Sequence, residues 1–445
     1  MKTLTTIAFS LFFLFTALAQ PSNITGTTEK GKFKKIYLYK VLNGRLNEVA
    51  TYVPDEEGRF AFRFTPEYEG FYCIGYGQPH MIQGMNKLYF RGKEDLTVKL
   101  NTEGLELIKS NSKENNALAN WHKISNNIQS KSTNIGNMST YVDFFPELEE
   151  LRSKYDLYSK NPKTGNKIFD ALFPQIVKND IAFYALNFLY TPHAAHPSKE
   201  EYTAFYNDIN TDEYMNDGLL AYPFGDRLLS SLVMFKNMGG KKFDINNLIE
   251  SIPNPALKGQ YFLAYAERLK SMEDYLVLLE KNKSNLILEE QKQRASAIEA
   301  KLAETKAGVP AFNFSFTDVN GKATGLTDLR GKVVLLDLWA TWCGPCRAEE
   351  PHWEKLNEEY KDKAVAFVGI STDQDKAKWV EYVKEKNAKG IQLHAGPSNP
   401  LSEAYKVNAI PRYILIDKKG NLITADSPRP SDPKLRELLD TWIKK

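Results

Sequence analysis

The pentapeptide Trp342-Cys343-Gly344-Pro345-Cys346 constrains this chain more than any other feature. It follows an apolar run, Val333 to Leu338, that reads as a buried strand, and it opens a segment, Pro345 to Tyr360, that reads as a helix. A helix start leaves backbone N–H groups unpaired and carries partial positive charge. Both favour thiolate over thiol. The pattern therefore predicts Cys343 as an exposed nucleophile at the helix N-terminus. Cys346, one turn deeper, can attack a mixed disulfide from within, so the pair performs exchange in two steps. Pro345 suits the first turn, where its missing N–H costs nothing.

Two other uses of such a pair fit less well. Half a zinc site would need a second pair of Cys or His ligands. Cys73 stands alone, His352 and His394 are isolated, and His193-Ala194-Ala195-His196 has no Cys pair beside it. Metal is therefore not expected. Peroxiredoxins place Pro and Thr seven and three residues before the reactive cysteine, and those positions here hold Leu336 and Ala340.

At 445 residues the chain is too long for one ordinary domain. Residues 1–19 read as a signal peptide: Lys2 supplies charge, Ile7 to Phe15 is apolar, and Ala17-Leu18-Ala19 is a small-x-small cleavage site. Export implies an oxidising compartment, yet there are only three cysteines. A close Cys pair then suggests redox chemistry rather than clamping. Residues 20–105 alternate in short runs such as Arg59-Phe60-Ala61-Phe62-Arg63-Phe64, with turns at Asn43-Gly44 and Arg91-Gly92, and predict a small β-sandwich. Cys73, in the apolar run Phe71 to Tyr76, is expected to be a buried free thiol. Residues 106–306 turn helical, with Leu148, Leu151 and Tyr155 at helical spacing and a charged segment from Glu289 to Lys306. Ala307-Gly308-Val309-Pro310 breaks the helix. Residues 307–445 then alternate strand and helix, as a mixed sheet with helices on both faces does. Net charge is +3 with no long basic run, so nucleic acid is not an expected partner.

The segment Leu338-Trp339-Ala340-Thr341-Trp342-Cys343-Gly344-Pro345-Cys346-Arg347-Ala348-Glu349-Glu350-Pro351 resembles the TlpA-like branch of the thioredoxin superfamily, and the resemblance covers residues 308 to 445. Pro351 matches the family's helix-kinking proline, and Ile410-Pro411 its cis-proline. The resemblance implies a thioredoxin-like α/β domain behind a β module, with Gly344, Pro345 and Pro351 structural. It also implies that Trp342, Ile410 and Pro411 meet the substrate peptide. Asp337 matches thioredoxin's buried Asp, and Glu349 matches an active-site Glu of the cytochrome-c-maturation-type reductases. Those commonly lack the other acid, so this chain is mixed. Either acid near Cys346 could take its proton. Glu350 is expected at the surface, and Trp339 in the core. Arg412, after the cis-proline, is expected to bring positive charge near the thiolate.

The expectation is a periplasmic protein-disulfide reductase using Cys343, Cys346, Asp337 and Glu349. The Gly-Pro dipeptide matches thioredoxin, which is strongly reducing. No Gly-x-Gly-x-x-Gly follows a strand, so no nucleotide or flavin cofactor is expected, and electrons would come from a membrane relay partner. Two alternatives stay open: an oxidase or isomerase, and a client-binding module of residues 20–306 with an accessory redox domain.

Overall fold

The computed structural model describes residues 20–77, 84–134, 136, 138–160, 162–238 and 244–445. The expected signal peptide, residues 1–19, lies outside them. Among the described residues no helix is long and apolar enough to cross a membrane. The chain divides into two compact units, Met1–Ala264 with Ser284–Leu288, and Tyr265–Lys283 with Glu289–Lys445.

Alternation in the first hundred residues gives the sandwich its two faces. The strands are β1 (Ser22–Thr28), β2 (Ile36–Leu42), β3 (Arg45–Tyr52), β4 (Arg59–Phe64), β5 (Gly70–Gly75), β6 (Asn86–Phe90), β7 (Asp95–Asn101) and β8 (Gly104–Ser110). They form two four-stranded sheets, ordered β4-β1-β7-β8 and β3-β2-β5-β6. In β4, Phe60 and Phe62 are buried while Arg59, Ala61 and Arg63 face solvent, as a period of two requires. Ile24, Leu38, Tyr72, Leu96 and Val98 join them between the sheets.

β5 is buried at every position because its second face is covered too. Phe71 and Cys73 point away from the sandwich core, into a larger one with Trp121, Phe169, Phe173 and Leu232. The last four come from the helices Lys113–Thr133, Lys167–Tyr190 and Gly225–Lys236. The sandwich and the helices thus share a core, and residue 105 falls inside β7-β8 pairing rather than at a break. Cys73 is free and buried, and that burial pushes its thiol up to about 12. Beside it a charge pair is sealed in: Lys87 Nζ lies 2.9 Å from Asp180 Oδ1. Asp180 also accepts from Trp121 Nε1 at 2.8 Å and Tyr222 Oη at 2.6 Å. These partners join β6 to two helices and a loop.

The second unit is built on a seven-stranded sheet, ordered β10-β9-β13-β12-β11-β14-β15. Its strands are β9 (Ser315–Thr317), β10 (Ala323–Gly325), β11 (Val333–Trp339), β12 (Val365–Ser371), β13 (Ile391–His394), β14 (Arg412–Ile416) and β15 (Leu422–Thr424). β11, β12 and β13 are parallel, and β14 returns antiparallel beside β11. β11 and β12 are apolar runs because both faces are covered. Val334, Leu336 and Val368 pack on one face, and Val333, Leu335, Phe367 and Leu415 on the other. The second set meets Trp353 and Leu356 of the helix Gly344–Glu359, and Leu435 and Leu439 of Pro433–Lys444. The helices Met272–Asn282 and Glu289–Ala303 also belong to this unit, tied together by Tyr275 Oη donating to Ala295 O at 2.8 Å. The expected break at 307–310 is a docked segment: Gly308 N–H donates to Leu422 O, and Leu422 N–H to Val309 O, both at 2.7 Å. It covers the free edge of β15.

Removing one partner of a buried ion pair strands the other charge. Asp180→Asn should therefore cost about 3–5 kcal/mol of stability, and a Lys87→Met, Asp180→Asn double variant should recover much of it. Urea unfolding followed by circular dichroism reads both. A single-variant loss below about 1 kcal/mol would show that the pair does not hold this core.

Candidate functional site

Where β11 ends, the chain turns through Ala340 to Trp342 and enters the helix Gly344–Glu359. Cys343 is the N-cap of that helix. Its Sγ accepts from the Cys346 backbone N–H at 3.2 Å, the role an N-cap oxygen usually fills. Cys343 and Cys346 are joined as a disulfide. Pro345 lies in the first turn and Pro351 inside the helix. Around Gly344 the space a Cβ would occupy is open, so no neighbour demands glycine there.

Cys343 is less open than its position suggests. It is 4% exposed against 69% for Trp342. Both cysteines share an apolar cluster with Trp339, Ala340 and Trp379, and Ile410 packs against it. The expected exposed nucleophile is thus covered in the disulfide form, and the exposed side chain is the neighbouring indole. Trp339 is buried, as expected of a core residue. The Ile410-Pro411 peptide is cis. Arg412 does not present a free cation: its Nε lies 3.3 Å from Asp426 Oδ1, and Lys270 Nζ lies 2.8 Å from Asp426 Oδ2.

The two acids, one on the strand beneath the cysteine helix and one on the helix itself, are served differently. Asp337 is on β11, and its Oδ1 is enclosed without a hydrogen-bond partner. Burial, then the nearby Glu349 and Glu350, holds its carboxyl well above the usual carboxylate range. Glu349 is buried, and both its oxygens accept from one residue. Ser431 N–H donates to Oε2 at 3.0 Å and Ser431 Oγ to Oε1 at 2.9 Å. Glu350, expected at the surface, is half-buried and accepts from Tyr382 Oη at 2.7 Å.

Two supporting residues escaped the sequence reading. Ser431 is one. Asp373 is the other: buried, it accepts from Thr341 N–H at 3.0 Å, Thr341 Oγ1 at 2.7 Å and Ser371 Oγ at 2.8 Å. It pins the turn that carries Trp342 and Cys343. The only hint was an acid just beyond an apolar strand, where parallel sheets gather functional groups.

Residues 305–439 match the Redoxin family model. The thiol-disulfide oxidoreductase ResA of Bacillus cereus (strain ATCC 10987 / NRS 248) is 31% identical over 140 residues, which are 32% of this chain and 80% of the relative. Its counterpart in a second Bacillus cereus strain is 34% identical over 116 residues, 26% of this chain and 66% of the relative. A thiol-disulfide oxidoreductase of known crystal structure from Bacteroides vulgatus is 40% identical, covering 31% of this chain and 96% of its own, with a TM-score of 0.29. Sequence kinship and a disulfide capping the helix after β11 agree: the chain belongs to the TlpA-like thioredoxin family of thiol–disulfide oxidoreductases.

Proposed function

We propose that residues 307–445 form a redox domain that reduces disulfides of protein clients in the periplasm. The observation that carries this is the Cys343 sulfur standing as N-cap of its own helix, accepting the Cys346 N–H. A sulfur so placed is stabilised as thiolate and is a good attacking and leaving group. In the reduced enzyme the Cys343 thiolate attacks one sulfur of a client disulfide. A Cys343–client bond forms and the other client sulfur leaves as thiolate. Cys346 then gives its proton to the Asp337 carboxylate, and its sulfur attacks Cys343. The enzyme disulfide closes, and the second client thiolate leaves. Two electrons have passed from the cysteine pair to the client, whose thiolates take protons from water. A membrane-held dithiol partner would reopen the pair, with protonated Asp337 returning its proton to the Cys346 sulfur.

Trp342, with Ile410 and Pro411, would line the client's path. The 69% exposure of Trp342 supports a contact role. The leader sequence supports export. Glu349 would act beside Asp337 as a fixed acid rather than as the main proton acceptor, because its oxygens are already occupied by Ser431. The Gly344-Pro345 dipeptide supports the reducing direction, with a potential below about −210 mV. A redox titration against glutathione giving a value near about −120 mV would assign the pair to oxidation instead.

Cys346→Ser should leave clients attached at Cys343, seen as high-mass bands on a non-reducing gel that vanish with dithiothreitol. Cys343→Ser should trap none. The reverse pattern would exchange the roles of nucleophile and resolver.

Asp337 also predicts a pH-dependent stability. Its folded carboxyl stays protonated above the pH at which the unfolded chain loses the proton. Wild-type stability should therefore fall as pH rises from about 4, until the folded carboxyl ionises. Asp337→Asn should remove that fall while slowing closure of the enzyme disulfide about a hundredfold. Urea midpoints measured from pH 4 to 9 test the first part. Parallel curves for the two proteins would refute it.

A further inference from the structure

A row of residues crosses the sheet beneath the cysteine helix. Asp337 on β11 pairs with Gly369 on β12, and Gly369 pairs with Gln392 on β13. On the other side Asp337 pairs with Tyr413 on β14. Directly paired residues share a face, so all four address the same space. Gly369 contributes no side chain, and the Gln392 carboxamide fills its place. A Cβ on Gly369 would stand 2.3 Å from Gln392 Oε1. The amide is therefore carried over Gly369, toward Asp337.

Its orientation is fixed. Gln392 Nε2 donates to Lys389 O at 2.7 Å, a bond only the NH2 end can make. Oε1 is left as the inward atom, enclosed and without a partner. Asp337 Oδ1 and Tyr413 Oη are enclosed without partners in the same way. Between Asp337, Cys346 and Gln392 runs a cavity of about 40 Å³, large enough to seat a water. The Tyr413 O–H can satisfy one of the two enclosed acceptors, Asp337 Oδ1 and Gln392 Oε1, and the other is left a proton short. A protonated carboxyl supplies it, having an O–H to donate.

We propose that Gln392 Oε1 is the hydrogen-bond acceptor of the protonated Asp337 carboxyl, through the cavity between them, which makes Gln392 a positioning residue for the proton step. The proposal rests on the reading above that Asp337 exchanges its proton with Cys346. It adds the group that holds the proton in place while the disulfide is closed. A hydrogen bond accepted from the neutral form favours that form. The other ionisable groups facing Asp337 are Glu349, Glu350 and Glu354 from the cysteine helix, and Tyr413 from β14. Tyr382, Lys386 and Lys389 face it from the helix Lys376–Glu385 and the turn after it.

The test follows the Asp337 side-chain carboxyl by carbon-13 NMR in the full-length disulfide form, with Asp337→Asn assigning the resonance. Gln392→Ala removes the acceptor and admits water, and should lower the titration midpoint by about one pH unit. Gln392→Glu adds negative charge at the same place and should raise it. Gln392→Met keeps the volume and excludes water but removes the acceptor, so it should lower the midpoint too, whereas a packing role alone would leave the Met variant unshifted. A midpoint that Gln392→Met leaves unmoved, or that the Ala and Glu variants move in one direction, overturns the proposal. Client reduction by Asp337→Asn is measured separately. Unchanged turnover there would remove Asp337 from the proton step and leave the Gln392 titration to be judged by itself.

Discussion

The redox unit depends on one coincidence: the residue that caps the cysteine helix is also its redox-active sulfur. A helix N-terminus needs an acceptor for its unpaired N–H groups, and Cys343 Sγ provides one to Cys346 N–H. Capping and thiolate stabilisation are then the same interaction. Replacing the sulfur alters the helix start, and unwinding the first turn alters the sulfur. The surroundings preserve this arrangement from both directions. Asp373 holds the incoming turn through Thr341, and Trp353 and Leu356 hold the helix against the sheet.

The first unit meets a different demand. The middle strand of its inner sheet, β5, is buried on both faces, so a charge on neighbouring β6 is left with little contact with water. Lys87 lies there, and Asp180 answers it with two further donors engaged. Such a cluster adds little net stability over apolar packing but penalises every arrangement that parts its members. It ties the sandwich and the helices into one folding unit.

What was legible in the sequence was local. Alternation in β4 marked its buried face, and the apolar run before Trp342 marked a doubly covered strand. The cysteine pair could be set at a helix start because an apolar strand run precedes it, and the position of Asp337 on that strand followed from its match to thioredoxin's buried Asp. What was not legible joins distant segments. Ser431 reaches Glu349 across 82 residues, and Asp373 reaches Thr341 across 32. A serine in a loop and an acid after a strand have many other uses, so neither type nor spacing marks them. The same holds for the helices Met272–Asn282 and Glu289–Ala303. The charged run from Glu289 to Lys306 read as helical, but the pattern of neither segment shows that both belong to the second unit. The cover over Cys343 was hidden for a related reason, since Ile410 and Trp379 arrive from other elements.

The treatment of the two acids shows how one scaffold separates similar groups. Both are carboxyls, one on β11 and one on the cysteine helix, twelve positions apart in sequence. Glu349 meets two donors from Ser431, which occupy its oxygens and fix its orientation. Asp337 meets none at Oδ1, only an enclosed space beside a glycine. A carboxyl enclosed without donors is stabilised by carrying a proton, and in the proposed cycle Asp337 returns that proton when the Cys346 sulfur leaves as thiolate. Environment, rather than residue type, thus distinguishes the two acids, as the proposed roles of proton carrier and fixed acid require. Gly369 is the small residue that makes the difference, because any side chain there would fill the space that Asp337 and Gln392 share.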